Sequence, residues 1–205
     1  MQFYFYLFLN PVGAWHAVKP DRGGWRLMLH WLVLIVLATI PDAVRLVRTG
    51  LWQPRFQTVK IFTYEAAFAF GAVNMLMLLA MVFLSAFLVN RSLETFGSSR
   101  PFMPAFKLVA YGYTPLLLLY GVAHNPGINA WIPWSTGMVL MAWILYYGVP
   151  ILLEPFPPQM SGQYLFTLTV MALTSGALRY LTALYLSGEF DLGHSALSHY
   201  FPSLK

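Results

Sequence analysis

Long apolar runs alternate with short polar breaks along the chain. A helix needs roughly 20 mostly apolar residues, each rising 1.5 Å, to cross the hydrocarbon core of a bilayer. The pattern predicts five such spans, at about 25–47, 61–89, 104–123, 131–153 and 162–187. The first is the least regular, because Pro41 and Asp42 interrupt its apolar core after Ile40. The connections "RTGLWQPRFQ", "NRSLETFGSSRPFM", "HNPGIN" and "EPFPPQMS" are short and rich in helix breakers, with no room for a soluble domain. Ahead of the first span, residues 3–18 are mostly apolar and aromatic. "NPVGAW" offers Asn10 as a helix N-cap and Pro11 at the first helical position. The expected organisation is an interfacial amphipathic segment over 1–24, a membrane domain over 25–187 and a tail over 188–205. The fold class is all-α: a polytopic bundle of five transmembrane helices with a short interfacial N-terminal helix.

Composition agrees with lipid as the solvent. The 205 residues are 59% hydrophobic and 9% charged, against about 25% charged in soluble domains. The net charge of +5 points to topology and anionic lipid rather than to nucleic acid. Five spans put the termini on opposite sides. Lys19, Arg22, Arg26, Arg91, Arg100 and Lys107 then share the N-terminal side, and Arg45, Arg48, Arg55, Lys60 and Lys205 the other. The balance favours a cytoplasmic N-terminus, with the basic 45–60 loop as counterweight. The absence of cysteine removes disulfides, thiolate metal sites and a cysteine nucleophile. The N-terminus lacks the basic start and small-residue cleavage site of a signal peptide.

The third span contains "YGYTP", Tyr111, Gly112, Tyr113, Thr114 and Pro115. A proline inside a helix deprives the carbonyl four residues back of its donor, here that of Tyr111. Thr114 is expected to fold its hydroxyl onto the preceding turn, and Gly112 to admit a neighbouring helix. Ionisable groups inside spans are costly and mark candidate sites. Counting along antiparallel spans places Glu65 and Arg179 near the same face, as a candidate intramembrane ion pair. Lys107 and Glu154 form a candidate rim pair at the opposite face. Asn74, Thr167, Thr169, Thr174 and Ser175 are candidates for interhelical hydrogen bonds. His30 reads as hydrogen-bonded between helices. Asp191, His194 and His199 in the tail make a weak metal pattern, outweighed by a solvated tail. No metal site or cofactor is expected. There is no phosphate loop, HExxH or GxSxG, and no nucleophile, base and orienter converge, so no catalytic residues are expected.

A lysine, then "AYGYTP", then an apolar run resembles the third-span signature of the YIP domain family. These are five-span membrane proteins named in eukaryotes for interacting with Ypt/Rab GTPases. "NPVGAWHAVKPDRGGWR" is similar to the family's N-terminal segment. "WILYYGVPILLEPFPPQMSGQYLFTLTVMAL" is similar to its fourth span and the turn into the last. The long cytoplasmic N-terminal region of eukaryotic members has no counterpart here, so Rab binding is not carried over. The resemblance implies a non-enzymatic membrane protein that forms homo- or hetero-oligomers. Its expected partners are membrane lipids and another membrane protein or a second copy, with no nucleic acid. Its expected role is a scaffold, assembly factor or trafficking-type adaptor. The expected location is a bacterial inner membrane. The alternative is a small transporter, channel or transporter subunit using Glu65 and Arg179.

Overall fold

The computed structural model describes residues 2–20, 24–53, 58–98, 100–122, 129 and 131–187. Among the described residues, eight α-helices and two strands carry the fold. Two short helices, α1 (Gln2–Leu9) and α2 (Pro11–Val18), precede α3 (Gly24–Arg48). Strands β1 (Leu51–Gln53) and β2 (Thr58–Lys60) pair antiparallel, Leu51 opposite Lys60. Then come α4 (Tyr64–Ser92), α5 (Phe102–Gly112), α6 (Thr114–Val122), α7 (Trp131–Gly148) and α8 (Met160–Ser187). Among the described residues, five segments are long and apolar enough to cross a membrane: Leu27–Arg48, Tyr64–Ser92, Phe102–Val122, Trp131–Leu153 and Pro157–Tyr185. The largest departure from expectation is the start of the fifth, which begins in the "PPQ" turn rather than after it.

Span three lies innermost. Residues 105 and 107–117 are all buried, while the other spans each keep an exposed apolar face. α6 packs along α7 and α3, and α5 packs along α4, which in turn meets α3 and α8. Leu108, Val109, Leu117, Met141, Ile144 and Met171 fill the core. Outward faces of α3, α4 and α7 carry Leu29, Leu37, Phe68, Leu76, Val139 and Trp143. Such an outside is unfavourable in water and matches hydrocarbon.

The prolines act differently at each site. Pro41 sits within α3 without ending it. Its cost falls on the carbonyl of Leu37, four residues back, against which Gly121 packs; an added Cβ at Gly121 would lie 3.4 Å from that oxygen. Pro115 coincides with the break between α5 and α6 at Tyr113. Pro150 opens a π-helical turn, Val149–Leu153, that ends span four. Such turns relieve a lost helical bond by widening the ring.

The N-terminal segment differs from the expected single interfacial helix. Asn10 separates two helices and caps α2, accepting from the Gly13 N–H at 3.0 Å. Leu7, Ala14 and Trp15 are fully buried against the bundle, and the Trp15 indole donates to the Ile144 carbonyl at 3.0 Å. Gly148 makes the space: a Cβ there would come within 2.6 Å of both Trp15 and Leu108.

Candidate functional site

The polar residues of the spans group into sites at three depths. The middle one is built on Tyr113. The turn between α5 and α6 drives this side chain into the core, fully buried. Its hydroxyl lies 2.9 Å from Ser85 Oγ and 2.6 Å from Thr174 Oγ1, and donates to the Met171 carbonyl at 3.0 Å. Ser85 and Thr174 are themselves 2.8 Å apart. Three hydroxyls thus tie spans two, three and five together where no water competes. The Met81 and Val170 carbonyls, one turn back in their own helices, lie 2.7 Å from the Ser85 hydroxyl and 2.8 Å from the Thr174 hydroxyl, as alternative acceptors for the knot's three protons.

At the next residue, Thr114 Oγ1 lies 3.3 Å from His30 Nε2 on α3. This corrects the expectation that Thr114 would bond its own preceding turn. The imidazole is close enough to compete, because Tyr111 packs on it with ring centroids 4.7 Å apart. Tyr111 also meets Trp15 edge-on at 6.3 Å. Gly112 faces spans four and five. A Cβ there would lie 3.0 Å from Leu145 and 3.1 Å from Met171. Residues of "YGYTP" therefore reach five other elements between them, α2, α3, α4, α7 and α8.

The second site is the rim at the α2 end of the bundle. Among the described residues no ion pair joins Lys107 and Glu154, contrary to expectation. Lys107 is buried, and its ammonium donates to the Val18 carbonyl at 2.9 Å. That carbonyl ends α2, where a cation is favoured by the helix dipole. Glu154 instead pairs with Lys19 at 2.6 Å and with Arg100. It holds a left-handed conformation, φ 46°, directly after the π-helical turn. Ser98 Oγ donates to the Leu153 carbonyl at 2.6 Å, and the Phe156 N–H to Phe96. The loop after α4 is folded for this by Gly97, at φ 68°, and by a bond from the Ser98 N–H to Leu93, the pattern of a Schellman C-cap. Deeper on this side, Gln163 bonds Ser92 at 3.2 Å and Thr167 at 3.3 Å.

The third site lies toward the opposite end. Among the described residues no ion pair joins Glu65 and Arg179. Glu65 is exposed in the first turn of α4, and the Arg179 guanidinium lies over the Trp131 ring, 4.7 Å from its centroid. Counting by depth misses the rotation of each residue about its helix axis, which turns Glu65 outward. Asp42 is the buried carboxylate instead, 3.2 Å from Arg45 one turn on. The sequence marks it only as a break in the apolar run. Arg179 borders a void of about 20 Å³ with Tyr120, Trp134 and Ser175. Such a space admits a single water. The Trp134 indole N–H, buried without a protein acceptor among the described residues, is a suitable donor to one.

Among the described residues no three His, Asp or Glu side chains gather as metal ligands. Asp191, His194 and His199 lie outside the described residues. The Ser–Tyr–Thr knot bonds spans two, three and five to one another.

Five apolar spans, a third span broken at Tyr-Thr-Pro and a Trp15-bearing segment docked on the bundle form the frame around these sites. The family model described as the Yip1 domain matches residues 5–155. The chain belongs to the Yip1 domain family. The match covers the docked N-terminal helices, the first four spans and the Glu154 rim, and stops before α8. The Yip1 domain here thus contains Ser85 and Tyr113 but not Thr174, so the central knot joins the matched region to the last span. Comparison with curated proteins and with solved structures returns no match.

Proposed function

We propose that this Yip1-domain protein acts without catalysis, through contacts with other membrane proteins, with a second copy or with lipid, as a scaffold, assembly factor or trafficking-type adaptor. One observation carries the reading: the three hydroxyls of the central knot are spent on bonds between spans two, three and five. Tyr113, Ser85 and Thr174 bond one another and nearby carbonyls. The transport reading requires a polar cavity reaching the middle of the bundle. Arg179 borders a void with room for one water, and Glu65 is exposed, which weighs against it. We place the protein in a bacterial inner membrane with a cytoplasmic N-terminus, on the distribution of basic residues.

The test is purification from mild detergent, with crosslinking in membranes beforehand. A stoichiometric membrane-protein partner or a defined oligomer is the expected result. A free monomer under every mild condition, with ion or solute flux in liposomes that Arg179→Gln abolishes, would replace the proposal with the transport reading.

A further inference from the structure

At the end of the bundle away from α2, the last turns of α3 and the first turns of α4 diverge around a lateral groove of about 440 Å³. That volume is within the range of small-ligand sites, about 300–1,000 Å³. Ala43, Val47 and Ala67 form its floor, braced from behind by Leu46, Phe70 and Tyr185. Val44 and Phe68 flank its deeper end, and both are exposed. Arg48 and Tyr64 stand at the other end, where the two spans terminate. The groove is therefore graded along the span axis, a cation and a phenol at the end of the membrane segment and only hydrocarbon one turn deeper. This is the polarity of an amphiphile lying parallel to the helices.

The charge at the mouth is available. Arg45 is engaged by Asp42, whereas Arg48 is exposed and enters no ion pair among the described residues. Glu65 is next to Tyr64 in sequence, but residues 64, 67 and 68 form the groove face and Glu65 does not line it. The sequence from 42 to 60 carries Arg45, Arg48, Arg55 and Lys60 against Asp42 alone, so this end of the chain favours a net negative headgroup. Guanidinium suits phosphate by its forked donors.

We propose that this groove binds an anionic phospholipid, one acyl chain along Ala43, Val44 and Phe68 and the phosphate on Arg48. The proposal rests on the lipid arm of the function given above, and its test is separate from partner capture. The full-length protein in detergent is titrated with phosphatidylglycerol or phosphatidylcholine vesicle lipid, and retained lipid is read by native mass spectrometry. Arg48→Gln is expected to lower phosphatidylglycerol retention about fivefold, the equivalent of one surface cation near anionic lipid, with phosphatidylcholine little changed. Val44→Trp, at an exposed position, fills the groove and is expected to lower retention of both. Arg91→Gln, an exposed cation at the other end of α4, is expected to change neither. Equal losses for Arg48→Gln and Arg91→Gln would overturn the site in favour of general electrostatics. Retention unchanged in Val44→Trp would overturn it outright. So would a dimer in the spectrum that Val44→Trp removes and Arg48→Gln leaves intact, which assigns the groove to a second copy. Partner binding with no Arg48-dependent lipid sinks this inference alone, and Arg48-dependent lipid with no partner sinks the protein-adaptor reading alone.

Discussion

Tyr113 is where the opposing requirements of the core meet. A phenol inside hydrocarbon is tolerated only when its hydroxyl is satisfied, and here it meets two hydroxyls and a carbonyl within 3.0 Å. Removing it strands partners that lie beyond the reach of water. Tyr113→Phe is therefore expected to destabilise the bundle by about 1 kcal/mol, the usual net worth of one hydrogen bond, read as lowered thermal stability in detergent. An unchanged midpoint would mean that Ser85 and Thr174 satisfy themselves. Lys107 makes a contrasting case. Its ammonium is buried on the end of α2, so Lys107→Met is expected to cost more than Glu154→Gln. The Glu154 pairs join side chains exposed by 36 to 46%, and such pairs contribute roughly 0–1 kcal/mol. Denaturation of both variants in the same detergent orders them, and a larger loss in Glu154→Gln would make the rim the stronger fastening.

The elements themselves were legible in the sequence because their signal is length and apolarity. Trp131–Leu153 follows directly from an apolar run between breakers. What a span touches was less legible. Lys107 and Glu154 stand at adjacent span ends, yet Lys107 donates to a helix terminus from the N-terminal segment, whose docking no periodicity announces. Glycine is the partial exception, since a missing side chain implies a close neighbour. At Gly112 the neighbours are the tips of Leu145 and Met171, which can turn aside. At Gly137 the neighbour is the Leu116 backbone, 3.0 Å from an added Cβ, and backbone cannot. Gly137→Ala is accordingly expected to spread spans three and four and lower the melting temperature more than Gly112→Ala does. Equal effects would show that α6 shifts as freely as a side chain. Trp15 binds α2 to the fourth span, through its burial and its bond to the Ile144 carbonyl. Trp15→Ala leaves a large cavity, typically about 3–5 kcal/mol, and is expected to release α1 and α2 to protease while the spans stay folded.

At the scale of the molecule the question is which end faces the cytoplasm, and pairing does not take the α2-side cations out of the basic-residue balance. On the α2 side, Lys107 is buried on a carbonyl, and Lys19 and Arg100 meet Glu154. Acidic partners count little toward orientation, so the paired residues still hold that end inside during insertion, while the 45–60 stretch holds the other. The first span to insert carries Lys19, Arg22 and Arg26 ahead of it and Arg45 and Arg48 behind, a bias that supports the proposed cytoplasmic N-terminus. Thr95, exposed in the loop after α4, then lies inside, and Asn129, exposed before α7, lies outside. The chain has no cysteine, so Thr95→Cys and Asn129→Cys each report one position. An impermeant maleimide is expected to label Asn129→Cys in intact cells and Thr95→Cys only after permeabilisation. The reverse pattern would invert the protein and put the Arg48 groove in the inner leaflet, where anionic lipid and a basic loop attract each other most directly.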